Sequence, residues 1–329
     1  QPREIQDFLL NSSILEEFNA EMCRKVIGQA LDVEADWPRL METVYHNNLF
    51  VLPLDEEYRW LRYHHLFRDF LQSTLLQRRP QDAEKVKLQL AVYARENQDW
   101  ERVFNIYRQL GRKDAIADLI KEVGPHFIAK GQIKKLSAWL DELSLAQINS
   151  DAALLSIKAS VTFNQGRLQQ GKQMLDQVVD MYRKSGDERN LASNLIRRSA
   201  AQRVLGDYDN ALADAEEAIH LTHFEASFAP LYSEALRAKG ALLYQMGKLK
   251  DGLIFLNQAL DICLKSDNKE DQARIRVEIG AVYERLGNFK EAENAYQASL
   301  KYWQSVGDSI WIPTILNNLG VLQHSSGEF

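Results

Sequence analysis

Residues 280–300 read GAVYERLGNFKEAENAYQASL, and the order of small, turn-forming and apolar residues in this stretch decides the fold. It opens on a small residue, Gly280, and reaches a second glycine, Gly287, after two helical turns. An aromatic residue, Phe289, follows, then a small one, Ala292, and later the pair Ala298–Ser299. The same order recurs along the chain. Glycines stand at Gly166, Gly206, Gly247, Gly287 and Gly327, forty or forty-one residues apart. Leu168, Tyr208, Leu249, Phe289 and Phe329 follow them at a fixed offset, and Gly171, Ala211, Gly252 and Ala292 at another. Ahead of them stand Ala159, Ser199, Gly240, Gly280 and Gly320; further on come Val178, Ala218 and Ala259.

Each position has a physical role in a pair of packed helices. A small residue midway along a first helix lets the second approach closely. The glycine ends the first helix by adopting a left-handed conformation at little cost. The apolar residue after it folds back over the turn, and the small residue beyond marks where the two backbones cross. Polar stretches at Lys184–Asn190, Lys265–Glu270 and Ser305–Ser309 separate the units. One such unit cannot bury its own apolar face, so neighbours must stack. Residues 151–329 are therefore expected to form an all-α array. The pattern resembles the tetratricopeptide repeat, in a version longer than its usual ~34 residues. That resemblance implies a right-handed superhelix of helical hairpins built to bind a partner. No initiator Met is present, and Phe329 falls where a second helix should begin, so the chain is expected to be a section of a longer protein.

Upstream, the pattern changes. Residues 81–150 read as less regular helical pairs: Asp82–Arg95, Trp100–Leu110, Asp114–Glu122, Pro125–Ala129 and Ile133–Leu143, with Gly111, Gly124 and Gly131 as stops. Residues 1–80 give helices at Ile5–Leu10, Glu21–Ile27, Pro38–His46 and Leu66–Leu76, with Asn19 and Asp36 as N-caps. Between them lie two strand-like runs, Leu49–Leu54 and Tyr58–Tyr63, joined by Asp55–Glu57. Three helices plus a hairpin is a winged-helix layout. The predicted fold is all-α apart from that one hairpin.

Bulk properties narrow the function. The 329 residues are 45% hydrophobic with net charge −6 and pI about 5.7, which is not the electrostatic footprint of a nucleic-acid binder. Cys23 and Cys263 are too few and too far apart for a disulfide scaffold, no apolar run is long enough to span a bilayer, and Gln1–Asp7 lacks the layout of a signal peptide. A cytoplasmic location with no membrane partner is expected.

Three segments carry a more specific resemblance: FLLNSSIL at Phe8–Leu15, NNLFVLPLDEEYRWLRYHHLFRDFL at Asn47–Leu71 and KGQIKKLSAWLDEL at Lys130–Leu143. They are similar to the central region of the MalT-like, large ATP-binding LuxR-type regulators, which belong to the signal-transducing ATPases with numerous domains. The resemblance implies a nucleotide-binding domain before this region, holding ATP or ADP, and a DNA-binding effector after it. It further implies that the repeats sense a small-molecule inducer or a regulatory protein, and that the protein self-associates on activation. It assigns His64 a contact with the β-phosphate of ADP. This chain departs from the family at Ile106, where a histidine is frequent. The alternative reading is a tetratricopeptide scaffold with no ATPase attached.

Other constellations are less informative. Gly166–Gln173 has phosphate-loop spacing, but Gln173 replaces the Ser or Thr that would hold Mg²⁺, and both glycines already serve the repeat. The chain is therefore not expected to be an enzyme, nor to hold a nucleotide or other cofactor by itself. The winged helix is poor in cations: Trp37–Asn48 offers Arg39 against Glu42, and Glu21–Ile27 offers Arg24 and Lys25 against Glu21. A structural hinge is expected there, with DNA bound only through a domain outside this chain. His64 and His65 sit where strand meets helix; besides the phosphate contact, a capping role is open. His220 and His223, near Glu225, lack a third ligand at clear spacing, so no metal is expected. Trp139, Trp303 and Trp311 read as core.

The ligand-binding surface is expected along an inner wall of first helices. Counting from the small positions gives Arg203, Tyr244, Glu284 and His324; Ile196, Arg237, Val277 and Asn317; and Ser193, Glu234, Arg274 and Thr314. Arg203, Arg237, Tyr244, Arg274, Glu284 and Asn317 are the candidate contacts, a mixture suited to a polar small molecule or an acidic peptide; salt bridges between helices are the competing role. Removing Arg237 or Tyr244 is expected to abolish the inducer response with little change in melting temperature.

Overall fold

Side-chain caps set where the N-terminal helices begin. The computed structural model describes residues 2–47, 49–57, 59–223 and 226–326. After α1 (Arg3–Ser12), Asn19 accepts from the Met22 amide at 2.7 Å and starts α2 (Ala20–Cys23), which runs through a π turn at Arg24–Gly28 into α3 (Gln29–Leu31). Asp36 accepts from the Arg39 amide at 3.1 Å and starts α4 (Trp37–His46). Both expected caps are in place.

The hairpin is shorter than its apolar runs suggested. β1 (Val51–Pro53) and β2 (Leu61–Tyr63) pair antiparallel, Leu52 opposite Arg62, and Tyr58 lies outside the described residues. On its other edge Leu61 exchanges two backbone hydrogen bonds with Phe18, both 2.9 Å. Phe18, Leu15, Val26, Val44 and Leu61 are buried around this junction, with Phe8 edge-on to Phe18 and Tyr63 beside it. The Tyr63 hydroxyl meets Ser12 Oγ at 2.7 Å, which satisfies both buried groups. α5 (His65–Arg78) completes the winged helix.

Four more helices, α6 (Pro80–Glu96), α7 (Trp100–Gln109), α8 (Lys113–Ala129) and α9 (Ile133–Leu140), belong to the same compact unit, residues 1–144. One expectation fails here. Gly124 does not stop a helix and Pro125 does not start one; both lie inside α8. A proline in a helix interior typically costs about 3 kcal/mol. Ile116, Leu119, Ile120, Val123 and Phe127 form a continuous buried stripe that favours keeping the helix whole. Trp139 is core, stacked on Phe104 with ring centroids 4.4 Å apart.

The second unit, residues 145–329, opens with α10 (Leu145–Ser150). Four hairpins follow: α11 (Ala152–Asn164) with α12 (Leu168–Ser185), α13 (Glu188–Val204) with α14 (Tyr208–Thr222), α15 (Ala229–Gln245) with α16 (Leu249–Lys265), and α17 (Lys269–Arg285) with α18 (Phe289–Val306). α19 (Trp311–Ser326) is a further helix, and Gly327 and Phe329 lie outside the described residues. The predicted turn geometry holds, with φ of +81° at Gly206 and +77° at Gly287. The predicted crossings hold as well. Ser199 Oγ donates to the Ala211 carbonyl at 2.7 Å, and a methyl group on Gly252 would stand 2.9 Å from the Gly240 carbonyl oxygen. Ala159, Ala211, Ala218, Ala259 and Ala292 are fully buried.

Gly280 meets a side chain instead of a backbone. An added Cβ would lie 2.6 Å from the ring of Tyr296, itself buried, so the tyrosine fills the space that the glycine leaves. Gly280→Ala is expected to lower stability by about 1–3 kcal/mol through overpacking. Gly320→Ala, whose Cβ meets no described atom within 4 Å, should instead stabilise α19 by roughly 0.5–1 kcal/mol. Urea unfolding of the two variants beside the parent chain checks the contrast.

Candidate functional site

Among the described residues, the first helices of the repeats and the base of the hairpin gather polar and charged side chains.

On the repeats, the six expected contact residues sort into separate groups. Arg237 on α15 donates to Glu278 on α17 at 2.6 Å, and Asp271 and Glu234 are close enough to add to the field; Glu278 above all holds the guanidinium pKa above its ordinary value, against the effect of burial. Arg274 is tied to Glu270 and Asp271 on its own helix. Tyr244 lies beneath the Arg285 guanidinium, 4.9 Å from its ring centroid, and its carbonyl accepts from Arg285 at 3.2 Å. Glu284 accepts the Tyr296 hydroxyl at 3.0 Å. Arg203 is half-buried near the end of α13, and Asn317 is exposed on α19. Ile196 and Val277 are core residues, not wall residues: both are buried among the apolar side chains between hairpins, because their helix faces point at the neighbouring pair.

Several partners went unread in the sequence, yet the repeat itself could have found them. Arg237 and Glu278, Tyr244 and Arg285, and Ser156 and Arg197 are each forty-one residues apart, one repeat length. The Ser156 hydroxyl donates to Asn194 at 2.5 Å and accepts from Arg197 at 2.9 Å. A second polar group ties neighbouring helices within the array: Arg198 grips buried Asp214 with two bonds of 2.7 Å and reaches Asp176 at 3.2 Å. The Asp214 hydrogen bond raises the Arg198 pKa further.

At the hairpin base, His64 is the residue before α5, and its side chain makes no capping hydrogen bond. His64 and His65 are exposed, with ring centroids 4.4 Å apart. Arg62 and Arg68 join them around a cavity of about 270 Å³. The start of α5 adds the positive end of a 14-residue helix. Large apolar side chains surround this cluster in unusual exposure: Phe50 at 64%, Leu66 at 66% and Phe70 at 63%. Two histidines, two guanidinium groups and a helix N-terminus fit a phosphate group. On α4, Arg39 reaches Glu4 at 3.2 Å and His46 lies 3.6 Å from Glu42.

The remaining sequence signals resolve into packing. Gly166 ends α11 and Gly171 packs on Ala159, so the phosphate-loop lookalike joins two helices. His223 lies against Tyr232, while Glu225 is outside the described residues. Trp303 is core and Trp311 stacks on it at 5.4 Å. Cys23 and Cys263 are both buried, and burial pushes each thiol pKa up. No helix among the described residues is long and apolar enough to cross a membrane.

The fold is thus a winged-helix domain followed by tetratricopeptide-type hairpins. Comparison with known proteins makes it more specific. Residues 1–83 match the MalT winged helix domain, and residues 231–302 and 271–329 match the tetratricopeptide repeat, so the chain is a MalT-like winged-helix and tetratricopeptide region. It is 23% identical over 272 residues to the HTH-type transcriptional regulator MalT of Vibrio parahaemolyticus, covering 83% of this chain and 29% of that protein. The chain therefore spans less than a third of the curated relatives it matches. Among solved structures, a signal transduction ATPase with numerous domains bearing a tetratricopeptide repeat sensor, PH0952 from Pyrococcus horikoshii, matches 99% of this chain and 48% of its own, with TM-score 0.70 and 15% identity. The apo form of RapI matches 75% of this chain and 72% of its own, with TM-score 0.52 and 14% identity. These two likenesses concern the fold.

The contacts of Arg237 revise one expectation. Its removal would leave Glu278, whose Oε2 is already buried with no hydrogen-bond partner among the described residues, without its counter-charge. Arg237→Ala should therefore cost about 1–3 kcal/mol instead of leaving the melting temperature unchanged. A double-mutant cycle with Glu278→Ala, read by thermal unfolding, should show a favourable coupling of about 1 kcal/mol; zero coupling would leave the pair no structural role.

Proposed function

We propose that this chain is the central and sensor region of a cytoplasmic, nucleotide-dependent, inducer-responsive transcription regulator. The observation that carries the reading is the cluster of exposed His64, His65 and Arg62 with half-buried Arg68 at the helix start, bordered by exposed Phe50, Leu66 and Phe70. It has the chemistry to meet a phosphate at the edge of an apolar contact. That is what a winged helix needs if it closes over ADP held by an adjoining nucleotide-binding domain. His64 supplies an N–H to the phosphate, and the apolar side chains supply the contact with the domain. The curated relatives are transcriptional regulators, which supports the reading. In it, DNA is contacted only through an effector domain elsewhere in the protein, and activation proceeds by self-association.

The repeats are the input. An inducer or regulatory protein bound along Arg203, Arg237, Tyr244, Arg274, Glu284 and Asn317 must favour the active conformation over the resting one, since equal affinity for both would shift nothing. Arg237 and Arg274 enter this surface already paired with carboxylates, so a ligand there exchanges ion pairs instead of meeting bare charge.

In the intact protein, His64→Ala should raise the ADP dissociation constant about tenfold, from the loss of one charge-assisted hydrogen bond, and increase basal activity. Calorimetry with ADP measures it, and unchanged affinity would remove the phosphate contact. For the input surface, Tyr244→Leu and Asn317→Ala should abolish the inducer response of a transcriptional reporter while folding normally by circular dichroism. A normal response in both would move the sensing site elsewhere.

A further inference from the structure

A polar cavity of about 440 Å³ lies in the first compact unit, lined by residues of α5, α6 and α7 and of the segment after α1. Nine of the thirteen residues that line it are polar, so a polar occupant suits it. The charges in the lining divide into two sets. Its carboxylates all have cations: Glu101 meets Lys135 at 2.8 Å, and Asp99 and Glu16 flank Arg102 at 3.5 and 3.8 Å. Two cations of the lining have no such match. Arg68 on α5 makes no hydrogen bond through its guanidinium among the described residues, and its ion-pair partner, Asp69, stands 4.0 Å away. Its Nε alone is shut off from solvent, which leaves both Nη groups open. Lys87 on α6 has no carboxylate partner among the described residues; it donates to the Gln109 amide oxygen at 3.3 Å. Both are far looser than Arg198, which sits 2.7 Å from Asp214.

We propose that this cavity binds a small organic dianion with a carboxylate at each end, one meeting Arg68 and the other Lys87. Two uncommitted cations in one polar cavity call for two negative charges, and hydrogen bonds between ionised partners are the strong ones. The two cations stand on different helices, which suits charge divided between the ends of a molecule over charge gathered on one phosphorus. The amides of Asn105 and Gln109 belong to the same lining and are donors for the remaining carboxylate oxygens. The lining acids do not favour a cation, since Lys135 and Arg102 already neutralise them. The site is distinct from the hairpin base, although Arg68 borders both cavities.

Glutarate is a suitable probe, with glutaramide as its neutral counterpart of the same length. Titrations of the intact protein by calorimetry, and by methyl NMR of Met22 in the lining, should show glutarate binding at millimolar concentration or below. Glutaramide should bind about tenfold more weakly or worse. Lys87 is the residue to change, because Arg68 also serves the hairpin base, and its single long bond leaves folding little affected. Lys87→Gln should weaken glutarate about tenfold, whereas Lys85→Gln, which removes the same charge from the same helix outside this lining, should not. His64→Ala should leave glutarate binding unchanged, so the test does not rest on the phosphate reading. Absence of binding, equal affinity for glutaramide, equal losses from Lys87→Gln and Lys85→Gln, or loss of binding with His64→Ala would overturn the proposal; the last would place glutarate at the hairpin base.

Discussion

The repeat array depends on how closely two helix backbones can approach within each hairpin. Where Gly252 faces the Gly240 carbonyl at what would be 2.9 Å from a Cβ, no larger residue fits without moving a backbone. The same position in the hairpin before is held by Ala211, and Ser199 uses the short distance for a 2.7 Å bond to its carbonyl. Close approach brings the flanking apolar residues into contact, and only then does each hairpin have a continuous face to offer its neighbour. The requirement is steric and local, and so it recurs unit after unit as a small residue at a fixed place.

That is why so much of the second unit was legible in the sequence. A steric limit repeated four times leaves a trace that chance does not, and the turn glycines Gly166, Gly206, Gly247 and Gly287 and the polar linkers lie where their spacing put them. The winged helix was legible by different means, through the side-chain caps Asn19 and Asp36 and through motif likeness, because it occurs once and has no period. What escaped was long-range compensation. Gly124 and Pro125 carry every local mark of a helix boundary, yet a buried stripe from Ile116 to Phe127 overrides them. A local signal is read from a few neighbouring residues, whereas the stripe counts only once the rest of the unit is packed.

The sites were less legible than the fold for a related reason. Inner-wall positions can be counted from a repeat, but whether a side chain there is committed depends on the next hairpin. Tyr244 looks like a free aromatic until Arg285 is placed over it, and Glu284 like a free acid until Tyr296 donates to it. Ile196 and Val277 share the count with Arg237 and Asn317 and yet are buried, since that face of the first helix meets the neighbouring hairpin and an apolar side chain there is covered by it. The hairpin base is the reverse case. There the sequence named His64, and the structure added the two arginines and the exposed apolar border that make the residue interpretable.

The ties one repeat length apart have a consequence for the order of the hairpins. Ser156 with Arg197, Arg237 with Glu278, and Tyr244 with Arg285 are three chemically different fastenings, and none can be exchanged for another. The steric frame alone would let any hairpin stack on any other, as identical bricks do. Because Ser156 with Arg197 joins the first two hairpins, and Arg237 with Glu278 and Tyr244 with Arg285 join the last two, a hairpin set in the wrong place, or borrowed from a second molecule at the wrong offset, meets a mismatched partner. The array is thus addressed as well as stacked: its shape comes from what the units share, and their sequence along the chain is guarded by what they do not.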